Sequence, residues 1–352
     1  MHDISAIDKN FKIETNISKS DIRFFNIKNE PFKVYGVAYE NGKYRRMPET
    51  VAKNISGGVY ALHTNTAGGR VRFKTNSPYV AINAKMENVG KMGHFTLAGS
   101  AGYDLYIKEN GKEHYAKSFI PYLNISCGYE GVADAEFGNT EMREITINFP
   151  LYSDVLELYV GISENAQLLS AEPYTIEKPI VFYGSSITQG GCASRPGNAY
   201  TAAVARRFDA DHINLGFSGN ALAEIEMAEY IRSIPMSAFI FDYDHNAPTL
   251  EHLERTHLRM FDIIRKANPD LPIIILSRPK YNACSYEEKC RDIIYLTFER
   301  AKAAGDNNVY LLDGKQLMAM AGYEGTVDDC HPNDFGFASM AKAIGDIMEC
   351  IF

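Results

Sequence analysis

The chain has no tryptophan, no CxxC pair and no basic run longer than two residues. It also has no apolar stretch near the roughly 20 residues that span a bilayer. Each gap excludes something. Without the apolar stretch, no membrane partner is expected. Without a basic excess (the formal net charge is −8), no nucleic-acid partner is expected, and pairs such as Arg45-Arg46 and Arg206-Arg207 read as solvated surface. The six cysteines, Cys127, Cys192, Cys284, Cys290, Cys330 and Cys350, are scattered and do not form a disulfide framework. The one ligand-like neighbour pair, Cys330-His331, lacks partners in the sequence, so no metal and no cofactor are expected. Residues 1–10 are polar and mixed in charge, without the apolar centre of a secretion signal. A cytoplasmic protein is the expectation. Oligomeric state is left open.

At 352 residues the chain exceeds what one ordinary core serves, so one or two domains are expected. Its grammar changes near residue 175. Before that point lie short β-like runs at 34–39, 58–63, 71–75, 79–84, 95–98, 103–107, 145–149 and 156–160. Turn signals such as Asn41-Gly42 and Ala67-Gly68-Gly69 separate them. This pattern predicts an antiparallel sandwich over 1–175. From 176 to 352, apolar strands at 179–183, 212–215, 238–241, 272–276 and 309–312 alternate with helical stretches at 198–208, 221–231, 250–266, 286–303 and 335–348. Such alternation predicts a parallel sheet with helices on both faces. The join, near Pro173, is too short for a loose tether, so the halves are expected to pack together.

In an open α/β sheet, ligands bind beyond the carboxyl ends of the strands. There the sequence offers Gly184-Ser185-Ser186-Ile187-Thr188-Gln189-Gly190-Gly191, Gly216-Phe217-Ser218-Gly219-Asn220, Asp242-Tyr243-Asp244-His245-Asn246 and Asp328-Asp329-Cys330-His331-Pro332. A hydroxyl, a histidine, carboxylates and amide donors are the inventory of acyl transfer. Each piece has an ordinary alternative. A glycine–serine turn also serves as a loop or phosphate cradle, although this one lacks the P-loop ending. Asn246 suits a turn, and Asp328 suits an Asx turn or a helix cap beside Pro332. Asp242 and Asp244 read as solvated, or bonded to a neighbouring loop.

The stretch Phe182-Tyr183-Gly184-Ser185-Ser186-Ile187-Thr188-Gln189-Gly190 resembles the first block of SGNH (GDSL-like) hydrolases. Gly219 matches the glycine of their second block, Asn246 the asparagine of the third, and Asp328 with His331 the DxxH of the fifth. Gly102-Tyr103-Asp104-Leu105-Tyr106 resembles the GxDLY motif of one bacterial branch with an N-terminal β domain. Two departures stand out. Ser185 replaces the usual aspartate, and Asn246 sits in His-Asn-Ala-Pro, which leaves Asn220 as its alternative.

The resemblance implies a jelly-roll-like β-sandwich followed by a three-layer, flavodoxin-like SGNH domain with five parallel strands. It also implies roles. Ser186 is the nucleophile, His331 the base and Asp328 its orienting acid. The oxyanion donors are the backbone N–H groups of Ser186 and Gly219 and the side-chain amide of Asn246. Arg195, close behind the nucleophile, is a candidate for holding a substrate oxygen, with a surface ion pair as the alternative. Relatives with the accessory domain commonly act on acylated sugars, so a short-chain, acetyl-type ester on carbohydrate is the expected substrate. An acyltransferase using the same residues is one alternative. A carbohydrate-binding protein with an inactive hydrolase domain is another.

Overall fold

The computed structural model describes residues 13–352, so the stretch 1–10 read above for a secretion signal lies outside the described residues. Residues 22–169 build two antiparallel sheets. One orders its strands Ile22–Asn26, Asp154–Ser163, Val80–Glu87, Gly128–Ala133. The other runs Leu168–Leu169, Arg70–Thr75, Arg143–Asn148, Tyr103–Glu109, Lys112–Phe119, with Lys33–Tyr35 also paired to Arg70–Thr75. Alternating residues of both sheets, among them Val71, Phe73, Leu105, Ile145, Ile82 and Val160, share one buried core. This is the sandwich that the closely spaced short runs and turn signals predict.

Two of the expected strands are helices. Residues 58–62 lie in the helix Gly57–Leu62, with His63 as its C-cap, because Ser56 caps it, its hydroxyl accepting from Val59 N at 3.2 Å. Residues 95–98 run into the short helix Leu97–Ser100, capped by Thr96 onto Gly99 N at 3.1 Å. The expected strand at 34–39 is split into Lys33–Tyr35 and Ala38–Glu40 at Gly36, whose φ is 72°.

Residues 176–312 supply five parallel strands: β1 (Ile176–Gly184), β2 (Ala210–Gly216), β3 (Ala238–Asp242), β4 (Ile273–Leu276) and β5 (Val309–Leu312). Their order is 2-1-3-4-5, the flavodoxin-like arrangement. Side chains leave the strands alternately to the two faces. Val181, Tyr183, Phe239, Phe241, Ile273 and Ile275 pack with α2 (Ile225–Arg232), α3 (Leu250–Ala267) and α4 (Ser285–Ala303). Ile180, Phe182, Ile240 and Ile274 pack with α1 (Tyr200–Arg207) and α5 (Asp334–Met348). None of the helices of the described residues is long and apolar enough to cross a membrane.

The two parts are bolted together beside β2, at the sheet edge. Arg46 Nη1 donates to the carbonyls of Asn214 and Gly216, and Arg70 Nη1 to that of His212 at 3.1 Å. Arg70 also pairs with Asp211, and Lys108 with Asp209 at 3.0 Å. Arg45 and Arg46, expected at the surface, are therefore buried. Their charge goes to backbone oxygens and neighbouring side chains, a use that a two-residue basic run does not reveal.

Candidate active site

β1 delivers its chain end at the switch point of the sheet, between β2 and β3. Gly184 is required there, since a Cβ would meet the Asp242 carbonyl and Thr188 Oγ1 at 2.3 Å each. Ser185 then caps a single helical turn, Ser186–Gln189, accepting from Ile187 N at 3.1 Å. The missing aspartate of the first block is thus replaced by a capping hydroxyl. The buried carboxylate that faces this loop comes instead from Asp242, which accepts from Thr188 Oγ1 at 2.8 Å and Tyr200 Oη at 3.2 Å. Burial pushes Asp242 up to about 7. Asp242 and Asp244 are both fully enclosed and bonded to neighbouring loops, Asp242 to Thr188 and Asp244 to Arg278, which is the second of the two expectations and rules out the solvated one.

Ser186 opens the turn. Its carbonyl accepts from Gly191 N at 2.8 Å and from Tyr152 Oη at 3.1 Å, so a side chain of the sandwich part fixes the turn. Its Oγ lies 3.0 Å from His331 Nε2. Behind that contact, His331 Nδ1 lies 2.8 Å from Asp328 Oδ2, while Oδ1 of the same carboxylate accepts from His331 N at 2.7 Å and Cys330 N at 3.2 Å. Asp328 is therefore both an Asx-type turn former and the partner of the imidazole. Gly191 eases the approach, because a Cβ on it would crowd the Ser186 carbonyl and Tyr152 Oη at 3.0 Å each and His331 Cδ2 at 3.3 Å.

Cys330 lies between two histidines, its Sγ 2.8 Å from His245 Nε2. The Cys330 sulfur raises His331 most; Asp328 adds to this against the opposing effect of burial, and the imidazole reaches about 9. That is well above the ordinary imidazole value of 6.5. Burial works against the charge on Asp328, but the hydrogen bonds from His331 and Cys330 outweigh it and hold the acid at about 2.

The other expected residues fall in different places. Gly219 occupies an exposed turn after β2 with φ of 67°. Asn246 Nδ2 donates to the Phe217 carbonyl at 3.0 Å, which docks its amide on that same turn and leaves the second N–H of the amide to donate elsewhere. Asn220 points the other way: its amide turns back to the Ser218 carbonyl, and its Oδ1 fills the space where Gly58 would carry a Cβ. Arg195 is drawn to the GxDLY residues. It donates to Asp104 Oδ2 at 3.0 Å and to Tyr106 Oη, and it stacks 3.9 Å from the Tyr115 ring centroid. The ion pair, here linking the two parts, is what the structure gives it. Asp329 extends to Lys280 at 2.5 Å, and Asp334 braces Ser194 and Asn198.

Three neighbours of the site escaped the sequence reading: Tyr152, His94 and Cys192. The His94 ring lies 5.3 Å from that of His331. Tyr152 and His94 come from the sandwich part, in segments with no catalytic motif, and only the docking of the two parts brings them here. The sandwich thus borders the site directly.

The chain geometry agrees with its relatives. Residues 177–349 match the model of the GDSL-like lipase/acylhydrolase family, and residues 22–168 match that of the N-terminus of SGNH-hydrolase-type esterases. No curated protein sequence matches the chain. Among solved structures, one from Bacteroides ovatus described as a GDSL-like lipase is 31% identical, with 94% of this chain and 98% of that one covered at a TM-score of 0.83. The salicylyl-acyltransferase SsfX3 of a tetracycline biosynthetic pathway shares the fold at 20% identity, with 94% and 98% covered and a TM-score of 0.75. An acetyl xylan esterase, Est2A, from the rumen bacterium Butyrivibrio proteoclasticus shares it at 14% identity, 94% and 98% coverage and a TM-score of 0.60. With both halves matched and a relative similar over nearly its whole length, the chain belongs to the SGNH, or GDSL-like, family of esterases, in the branch that carries the GxDLY N-terminal region.

Proposed function

We propose that the protein hydrolyses short-chain acyl esters, acetyl esters foremost, carried on a carbohydrate, with Ser186 as nucleophile. The observation that carries this reading is the unbroken line from Ser186 Oγ through His331 to Asp328, at 3.0 and 2.8 Å. A serine hydroxyl needs a base, and here neutral His331 accepts its proton at Nε2 while Asp328 holds the tautomer through Nδ1. Ser186 Oγ bonds to the ester carbonyl carbon. The developing oxyanion takes hydrogen bonds from the N–H groups of Ser186 and Gly219 and from the Asn246 amide. Collapse breaks the ester bond, and the His331 proton leaves with the alcohol. A water, deprotonated by the same imidazole, then releases the acid and restores Ser186. No step draws on a metal or an organic cofactor.

The carbohydrate assignment is supported by the likeness to Est2A, named an acetyl xylan esterase. The likeness to SsfX3, named an acyltransferase, keeps a second reading open, in which an acceptor alcohol replaces water. We further assign 1–175 as a β accessory domain that shapes substrate choice and 176–352 as the catalytic domain. The six cysteines, all unpaired, support the cytoplasmic reading. The deciding experiment is a panel of acetylated oligosaccharides followed by mass spectrometry, with and without an acceptor alcohol. Free acetate and deacetylated sugar are expected. Acetylated acceptor as the main product would favour the transferase, and no turnover of any ester would overturn both.

A further inference from the structure

Beside the catalytic line lies a second constellation. Cys192 follows the Gly190-Gly191 pair with φ of 76°, a region that side chains other than glycine rarely adopt, and it is buried. His94 stands exposed on the sandwich part, between the strand Val80–Glu87 and the helix Leu97–Ser100. One donor atom from each of His94, Cys192 and His331 lies within 4.8 Å of the other two. Two imidazoles and a thiolate are the donor set of zinc and its borderline-soft relatives, and three protein ligands leave a fourth position open.

We propose that His94, Cys192 and His331 form a reversible binding site for a zinc-class divalent cation, and that occupation switches ester hydrolysis off. The switch rests on the proposed role of His331; the binding does not. Asp328 already holds Nδ1, so coordination falls to Nε2, which exchanges its contact with Ser186 Oγ for the metal, and a carboxylate behind a ligating imidazole strengthens it. With the Nε2 lone pair on the metal, nothing accepts the Ser186 proton. On coordination the Cys192 thiol gives its own proton to solvent, and the sulfur–metal bond replaces the S–H bond. The cation would also tie the sandwich part, through His94, to the loop behind the nucleophile. A rival group, Asp328, Cys330 and His331, is as closely spaced. Its donors are committed, however, Asp328 Oδ1 to two backbone N–H groups and Cys330 Sγ to His245.

The test uses the full chain, stripped with chelator and desalted. Cobalt(II) serves as the spectroscopic probe, and zinc as the ligand in calorimetry and in p-nitrophenyl acetate hydrolysis. One equivalent should bind, with a sulfur-to-cobalt charge-transfer band that Cys192→Ser removes. Hydrolysis should fall with the same midpoint and return with EDTA. His94→Gln is compared with the unaltered chain in calorimetry and in hydrolysis, each with and without zinc. It should weaken zinc binding and inhibition at least as much as the ~10- to 100-fold loss seen when only an outer partner of a ligand is removed. No binding at millimolar zinc overturns the site. So does binding that survives both variants and disappears in Cys330→Ser. Binding without inhibition overturns the switch. If the protein hydrolyses no ester, the reading of its function fails, and the cobalt spectrum still decides the cation site.

Discussion

Asp104 and Arg195 meet at 3.0 Å across the boundary between the sandwich and the parallel-sheet part. Asp104 is fully buried, and it also accepts from Gly197 N at 2.8 Å and Asn148 Nδ2 at 2.8 Å. Burial pushes this carboxyl up, and Arg195 pulls it back. The motif residue thus holds the loop that follows Ser186 at two points, Arg195 and Gly197, and is itself steadied by Asn148 of the sandwich. Asp104→Ala strands Arg195 and leaves a cavity. It is expected to cost about 3–5 kcal/mol, the usual loss when one partner of a buried pair is removed. Denaturant unfolding measures this, and a loss within ~0.5 kcal/mol, typical of surface changes, would refute the clamp.

Ser186→Ala is expected to lower kcat by at least about 10⁴-fold with the fold intact, by analogy with the loss of other serine nucleophiles. A fluorophosphonate should label Ser186. Labelling of Ser185, whose hydroxyl is occupied by Ile187 N, would overturn the assignment.

His331 is held protonated above the ordinary imidazole range. Because His331 is raised to about 9, it is largely protonated at neutral pH, and protonated imidazole cannot take a proton. Activity should therefore rise with pH along a limb between the free-imidazole value and about 9. Cys330→Ser should move the limb down with a modest change in plateau rate. Asp328→Asn should move it down and also cut the plateau, since the tautomer is no longer held. Asp329→Asn, whose carboxylate faces Lys280, should do neither. A limb fixed in all three variants would remove Asp328 and Cys330 from the site.

Asn246→Ala should lower kcat about 100- to 1000-fold with little change in KM, as loss of one oxyanion donor does. Asn220→Ala should stay near wild type, because its amide serves its own turn. Steady-state kinetics on one acetyl ester compares the two, and the reverse ranking would exchange their roles.

Much of this was legible in the sequence because the signals are local. Five apolar strands alternating with helical stretches fix the sheet, and β1 with Gly184 fixes where the serine must turn. The sandwich was read less well. Lys112–Phe119, a strand of largely exposed and half-buried residues with Lys, Glu and His among them, has no apolar face to announce it. Residues 58–63 carry strand-like Val59 and Tyr60, yet Ser56 capping and packing against Asn220 make them helical. His94 and Tyr152 were invisible for a different reason. Their importance arises only when two separately patterned halves dock, and no spacing in the sequence encodes that contact.

The arginines along β2 have a wider consequence. A strand at a sheet edge offers unpaired carbonyls to any passing chain. Here the oxygens of His212, Asn214 and Gly216, on alternate residues of that edge, are already taken by Arg70 and Arg46. The outermost strand on this side is sealed by guanidinium groups where other proteins use a further strand, so a second molecule finds no template there on which to polymerise. Were the sandwich to swing away, that edge would be bared, and the protein would face self-association together with loss of the Tyr152 contact that fixes the Ser186 turn.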